Sequence, residues 1–320
     1  MRGVLLLTLF LLGASLCQGA DDYPRRPVRV IVPSGPGSGG DILARLISQH
    51  LAEQFKETFV VDDRAGASGT IAFTLVAKAA ADGYTLLLAD TRWTTAPVLN
   101  KSVHYDVIRD FTPITQVATN SSVLVIHPSL KANTLKEFIA LAKASPGKLD
   151  YGSSGSGTAI HLATELFKTL AKVDIRHVPY SSGSAAALVG LAGGQVQVII
   201  PVIASVLPFI KNGQVRALAV TGDKRSPSLA DVPSFGEAGA ANMADYVWYG
   251  FVGPAGLPKP VISRLHTEMV RAIAVPVVKE RLIALGSEVV GSSPENFHKL
   301  IRSERQRWTD VIRTAGITAD

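Results

Sequence analysis

The chain of 320 residues holds a single cysteine, Cys17, within its first twenty positions. No internal disulfide can form and no thiol chemistry is available further along, so a fold of this length must rest on its own apolar core. Aromatic residues make up only 7% of the chain, and the one basic cluster, RRPVR at Arg25 to Arg29, has no aromatic interleaved with it. That argues against a nucleic-acid face. The seven histidines, His50, His104, His127, His161, His177, His266 and His298, lack metal-ligand spacing and have no cysteines to assist them. There is no H-E-x-x-H and no G-x-S-x-G elbow, despite the superficial likeness of GSSGSG at Gly152 to Gly157, and no lysine follows a glycine loop to make a P-loop. No uninterrupted apolar run reaches the roughly 18 to 20 residues of a membrane span. VQVIIPVIASVLPFI, Val196 to Ile210, is broken by Pro201 and Pro208 and reads as a buried strand and a following turn.

What is present at the N-terminus has the build of a secretory signal peptide: Arg2, an apolar run of 13 residues from Val4 to Leu16, then small and polar residues before Asp21 and Asp22. Residues 1–20 are read as that signal, with cleavage after Gly19 or Ala20. Leu16 is too large for the usual lipoprotein position before Cys17, and the apolar run is short for a retained anchor. The mature chain of about 300 residues then carries a formal charge of +5, spread along its length, after removal of Arg2 from the total of +6.

Four segments repeat one plan of apolar strand, Gly/Ser loop and amphipathic helix. The first is VRVIVPSGPGSGGDILARLISQHL, Val28 to Leu51, with Leu43, Ile47, Leu51 and Phe55 on one helical face. The second runs from Thr58 to Asp90: a strand to Asp63, a loop through Gly69, a helix to about Ala80 and a strand from Tyr84 to Ala89. KLDYGSSGSGTAIHLATELFKTL is the third, placing Ala163, Leu166, Phe167 and Leu170 on a helical face, and IRHVPYSSGSAAALVGLAGGQVQVIIP is the fourth. TLKE at Thr134 makes a capping box with Glu137, and Ser293 with Pro294 opens a helix in the tail. Alternating strands and helices with short loops predict an α/β fold of two lobes, each a mostly parallel sheet flanked by helices. The lobes are expected at residues 21–122 plus 247–320 and at 123–246. Crossings near Val123 and Trp248 would join them, and the tail would return to the first lobe.

In such sheets ligands bind beyond the carboxyl ends of the strands, where these loops lie. Each unpaired helix N-terminus carries roughly half a positive charge and up to four free N–H donors, so facing loops would suit a small carboxylate. Ser34, Ser38, Ser68, Ser153, Ser154, Ser156 and Thr158 would add hydroxyls. Asp41 is read as the N-cap of its helix, leaving the glycine N–H groups free for a ligand. His161, in the first turn of its helix, is expected to be neutral because an imidazolium would oppose the dipole. The competing reading is a dinucleotide cradle: Gly35, Gly37 and Gly40 stand at G-x-G-x-x-G spacing, and Asp62 and Asp63 follow Gly40 by 22 and 23 residues, where a ribose acid would sit. On that alternative the chain is a Rossmann-type oxidoreductase using NAD. Pro33 and Pro36 stiffen the turn, and an exported chain meets little nicotinamide cofactor.

With these residues assembled, the chain resembles the receptors of tripartite tricarboxylate transporters, the Bug-type extracytoplasmic solute-binding proteins. The likeness runs through YPRRPVRVIVPSGPGSGGDILAR, DDRAGASGT, AAADGYTLLLAD, YDVIRDFTPI, YGSSGSGTAIHLATELF, HVPYSSGSAAALVGLAGGQV, GQVRALAVTGDKRSPSLADVPSFGEAG and WYGFVGPAGLPKPVISRL. It implies a two-lobed periplasmic-binding-protein fold of type II, a monomer that closes on a small organic acid and delivers it to a membrane permease. Catalysis and cofactors are not implied, and a sensor kinase is a further candidate reader of the closed form. The matching ligand positions are Ser34, Gly37, Ser38, Gly39, Gly40 and Asp41, then Ala67, Ser68 and Gly69, then Ser153, Ser154, Gly155, Ser156, Gly157 and Thr158 with His161, and Tyr180 with Ser181. Departures from the family pattern bear on the ligand. PGSGGD has its serine one place early. In ADTRWTT, Thr91 and Arg92 join the expected site, Arg92 to pair a distal carboxylate and Trp93 to wall an apolar part of the ligand. Gln197 and Pro201 stand where acidic residues are frequent, which removes a partner for a ligand amine.

Overall fold

A computed structural model describes residues 23–317 apart from 181, 182, 223, 241, 242, 244, 245 and 285. The signal segment 1–20, with Cys17, and Ser181 lie outside the described residues. In chain order the elements are β1 (Val28–Val32), α1 (Gly39–Phe55), β2 (Phe59–Asp63), α2 (Thr70–Ala77), β3 (Thr85–Asp90), α3 (Thr91–Leu99) and β4 (Phe111–Ser121). There follow β5 (Val123–Ile126), α4 (Leu135–Ala144), β6 (Asp150–Ser153), α5 (Ala159–Ala171), β7 (Arg176–Pro179), α6 (Ser184–Ala192), β8 (Val198–Ile199), α7 (Ile203–Lys211) and β9 (Arg216–Val220). The chain finishes with β10 (Tyr246–Pro254), α8 (Lys259–Ala274), α9 (Pro276–Ala284), β11 (Glu288–Val289) and α10 (Pro294–Ala315).

Two sheets form, a six-stranded one ordered β2-β1-β3-β10-β4-β11 and a five-stranded one ordered β7-β6-β8-β5-β9. Apart from the edge strand β11 they share one plan: three parallel strands from consecutive strand–helix units, then an antiparallel strand, then one more. In each sheet the antiparallel strand, β10 or β5, is the one that has just arrived from the other sheet. Four strands of each sheet therefore run one way, which is the expected α/β architecture with mixed pairing at the crossing strand.

Side chains alternate across the first sheet with the two-residue period of a strand. Val28, Val30 and Val32 of β1 and Leu86 and Leu88 of β3 face the core made with α1 and α8, while Ile31, Leu87 and Ala89 face the opposite core with Phe73, Trp93 and Phe297. Leu43, Ile47, Leu51 and Phe55 all bury as their spacing predicts. On α5 Ala163, Leu166 and Phe167 bury but Leu170 is 40% exposed, because the last turn of that helix runs past the sheet. Val196 to Ile210 is not a strand and turn: its second half is helix α7, with Pro208 in its interior. Among the described residues no helix is long and apolar enough to cross a membrane.

The tail does not keep to one lobe. Phe297 and Ile301, near the start of α10, bury in the core of the first sheet. Trp308, Val311 and Ile312, two to three turns on, bury in the core of the second, so this one helix spans both.

Candidate functional site

Strand direction fixes where the loops meet. β4 ends at Ser121 as the chain leaves the first sheet, and β1, β2 and β3 run parallel to it, so all their carboxyl ends lie on the crossing side. β5 starts at Val123 on that same side and is antiparallel to β8 and β9, so the carboxyl ends of β6, β7, β8 and β9 also point at the crossing. The predicted loops of the two sheets therefore face one another across a cleft. Gln197, at the amino end of β8, lies on the far side, where its side chain accepts from the Asp150 N–H at 2.9 Å, so it has no bearing on a ligand in the cleft.

The first loops of the two sheets are built alike. After β1 the segment Gly35 to Asp41, and after β6 the segment Gly155 to His161, turn in the same way. Ser38 N–H donates to Gly35 O at 3.3 Å and Thr158 N–H to Gly155 O at 3.4 Å. Gly37 has φ of 79° and Gly157 of 73°, the left-handed conformation that glycine adopts without strain. Four residues on, a side chain accepts the glycine N–H: Asp41 Oδ2 from Gly37 at 2.7 Å, and His161 Nδ1 from Gly157 at 2.8 Å. An unprotonated Nδ1 is the neutral state expected of His161. Asp41, however, is not the N-cap. Ser38 caps α1, accepting from Asp41 N–H at 3.2 Å, and Asp41 closes back on the Gly37 N–H instead of leaving it free.

The two loops differ in charge. Beneath the first, Arg45 bridges Asp41 (2.6 Å) and Asp63 (2.9 Å), and burial with Asp41 alongside raises the Asp63 carboxyl against the pull of Arg45. Asp62 is held by Arg29 at 2.5 Å and Arg64 at 2.8 Å; burial works to raise its pKa, but those hydrogen bonds outweigh it and the group is lowered. Both candidate ribose acids are therefore committed to arginines, which removes the support for a dinucleotide cradle. Beneath the second loop lies a neutral stack. His161 packs flat on His177, ring centres 4.1 Å apart, and His177 on Tyr151 at 4.8 Å. Ser153, fully buried, bonds His177 Nε2 at 2.6 Å and accepts from the Gly155 N–H at 3.1 Å, so its hydroxyl serves the loop.

The remaining positions sort by contact. Ser34 and Ser38 bond each other at 2.7 Å, and Thr158 Oγ1 donates to Gly155 O at 2.7 Å. Ser154 and Ser156 are half-buried beside them, and Gly39 and Gly40 open α1. Ala67 and Ser68 are exposed and left-handed (φ of 46° and 54°), a strained turn that ends at Gly69, the N-cap of α2. Tyr180 donates from its hydroxyl to Gln195 at 3.3 Å. Thr91 is buried in the first turn of α3. Arg92 does not reach out for a distal carboxylate: it folds onto Asp90, the N-cap of its own helix, at 2.5 Å. Nor does Trp93 wall a ligand, since it is fully buried, edge-on to Phe111 at 4.9 Å and Trp248 at 6.3 Å.

Two contributors escaped the sequence. Tyr249 of β10 pairs in register with Asp90, and a Cβ on Gly39 would lie 3.5 Å from its hydroxyl. Its pKa is pushed up to about 12, chiefly by burial and then by Asp90, so the phenol stays a neutral donor. Leu99, at the end of α3, touches Gly157, bringing the first lobe against the second lobe's loop. Tyr249 lies in a crossing strand about 160 residues from the next nearest cleft segment of its own sheet, a separation across which no local pattern carries information.

Two α/β lobes with matched loops facing across paired crossings define a two-lobed binding protein of the periplasmic type II class. Residues 43–317 match the tripartite tricarboxylate transporter family receptor, TctC, and the chain belongs to that family. It is 36% identical over 302 residues to BugT of Bordetella pertussis, covering 93% of this chain and 91% of that one. Among solved structures it is similar to Rpa4515 of R. palustris with adipate (TM-score 0.77, 36% identity, 92% and 99% of the two chains). MatC of Rhodopseudomonas palustris with bound malate is a further neighbour (TM-score 0.75, 31% identity, 91% and 100%).

Proposed function

We propose that this protein is a periplasmic receptor, exported by the segment 1–20, that captures a small di- or tricarboxylate between its lobes and hands it to the membrane permease of a tripartite tricarboxylate transporter. The lobes divide at 21–122 plus 247–320 and 123–246, and the protein works as a monomer and as a binder, not an enzyme. The observation that carries the reading is the pair of matched loops, Gly35 to Asp41 and Gly155 to His161, opening helices toward one another. An anion in the cleft lies at both N-termini, and it stabilises the closed arrangement only because it binds that arrangement better than the open one. The adipate and malate carried by two structural neighbours support the ligand class.

The charge difference between the loops orders the steps. Asp41, Asp63 and Asp90 already draw on the first lobe's donors, whereas Ser153, His161 and His177 beneath the second loop are uncharged acceptors and donors. The carboxylate docks first on the second lobe, and closure then brings Ser34, the Ala67–Gly69 turn and Tyr249 to its other end. The test is unfolding and refolding of the mature chain to strip bound ligand, followed by thermal unfolding against mono-, di- and tricarboxylates, amino acids and NAD. A concentration-dependent rise in midpoint with one class of carboxylate supports the reading by mass action. A rise with NAD alone refutes it.

A further inference from the structure

A groove of about 770 Å³ runs beside the crossing, away from the carboxylate cleft, and both lobes wall it. Ser121 ends β4 and Thr221 follows β9 where the two crossing strands bond, Thr221 N–H to Ser122 O at 2.9 Å. On the opposite wall stand Ile273 at the end of α8, and Lys279 and the half-exposed Ile283 of α9. Gly286, also in the lining, marks a point where the lobes touch: a Cβ there would sit 2.6 Å from Cβ of Ala204 in α7. None of these residues belongs to the facing loops.

We infer that this groove binds an amphipathic organic monoanion, an acid with an apolar body. The volume lies within the range of small-molecule sites. Its charge is one-sided: Lys224 and Lys279 both line it with no carboxylate within 4 Å among the described residues, Arg225 is held by Glu237 at 2.9 Å, and Glu288 is the one acid in the lining. Ile273, Ile283 and Val289 supply the apolar wall that a hydrated inorganic anion would not need. Because the walls come from both lobes, the occupant senses their relative placement, and by linkage the cleft ligand and the groove ligand change each other's affinity by the same factor. The inference stands apart from the identity of the cleft carboxylate.

The probe is 8-anilinonaphthalene-1-sulfonate, an apolar ring system with one sulfonate, titrated by fluorescence into the full mature chain. One saturable site is expected. Lys224→Glu combined with Lys279→Glu weakens it by about tenfold or more, as reversal of two exposed charges predicts, while carboxylate affinity in the absence of probe stays unchanged. Ile283→Asp, an exposed position, gives the same loss through the apolar wall. Probe binding unaffected by either variant, with displacement of the probe by the cleft carboxylate, would overturn the inference. Carboxylate titrations of the same variants report separately on the cleft.

Discussion

The matched glycines permit a comparison that separates backbone strain from steric contact. Gly37 and Gly157 share a left-handed backbone, yet a Cβ at Gly37 meets nothing within 4 Å, whereas one at Gly157 lies 2.8 Å from Leu99 Cδ1. Gly37→Ala should therefore cost only the left-handed penalty of about 1 kcal/mol. Gly157→Ala adds overpacking of about 1–3 kcal/mol, for a total of about 2–4 kcal/mol. At about 2–4 °C per kcal/mol, the two variants differ in Tm by several degrees. Calorimetric or denaturant unfolding of both, and of each with Leu99→Ala, completes the cycle. Trimming Leu99 should relieve the clash at Gly157, giving a coupling of about 1 kcal/mol or more, and leave Gly37→Ala additive. Equal losses for the two glycine variants, or additivity within about 0.5 kcal/mol for Gly157→Ala with Leu99→Ala, would refute the contact and with it the placement of the lobes against each other.

His161→Asp would give the second loop the carboxylate that the first already has; carboxylate affinity measured by calorimetry should fall by about tenfold or more, at the 1–3 kcal/mol scale of a charged hydrogen bond. Trp93→Ala should lower stability by about 3–5 kcal/mol in urea unfolding, as expected for an emptied aromatic core position. Arg92→Ala should cost about 1 kcal/mol, small because the guanidinium is one-third exposed, and Asp90→Asn should offset part of that loss. Glu304, buried in α10 and accepting from Trp308 Nε1 at 2.9 Å, has its pKa raised by burial above the ordinary 4.5 despite Arg307. Its contribution is thus fully present below 4.5 and declines as pH rises through the raised value, so urea midpoints of the wild type should fall over that window more than those of Glu304→Gln. The lowered Asp62 acts oppositely: its contribution is present above the ordinary 3.8 and is lost as pH falls through its folded value.

The repeated strand, loop and helix plan was legible in the sequence because its signals are local: apolar period, glycine turns, and caps at Thr134 and Ser293 that the structure retains at 3.2 Å each. The loops of the candidate cleft were legible for the same reason, since a glycine after a strand and before a helix has one geometric use. The direction of side chains was not. Asp41 stood at a capping position by type, but Ser38, three residues earlier, reached its N–H first. Trp93 and Arg92 looked outward because nothing in ADTRWTT reveals that Phe111 and Trp248 close over the indole or that Asp90 captures the guanidinium. The sequence by itself determined four helix N-termini at four strand ends and a core without disulfides, all consequences of residue spacing. Only the tertiary structure decided that these ends face one another, that one long helix ties both cores, and that one side of the cleft is charged while the other is neutral, because those follow from strand direction and from contacts between residues far apart in the chain.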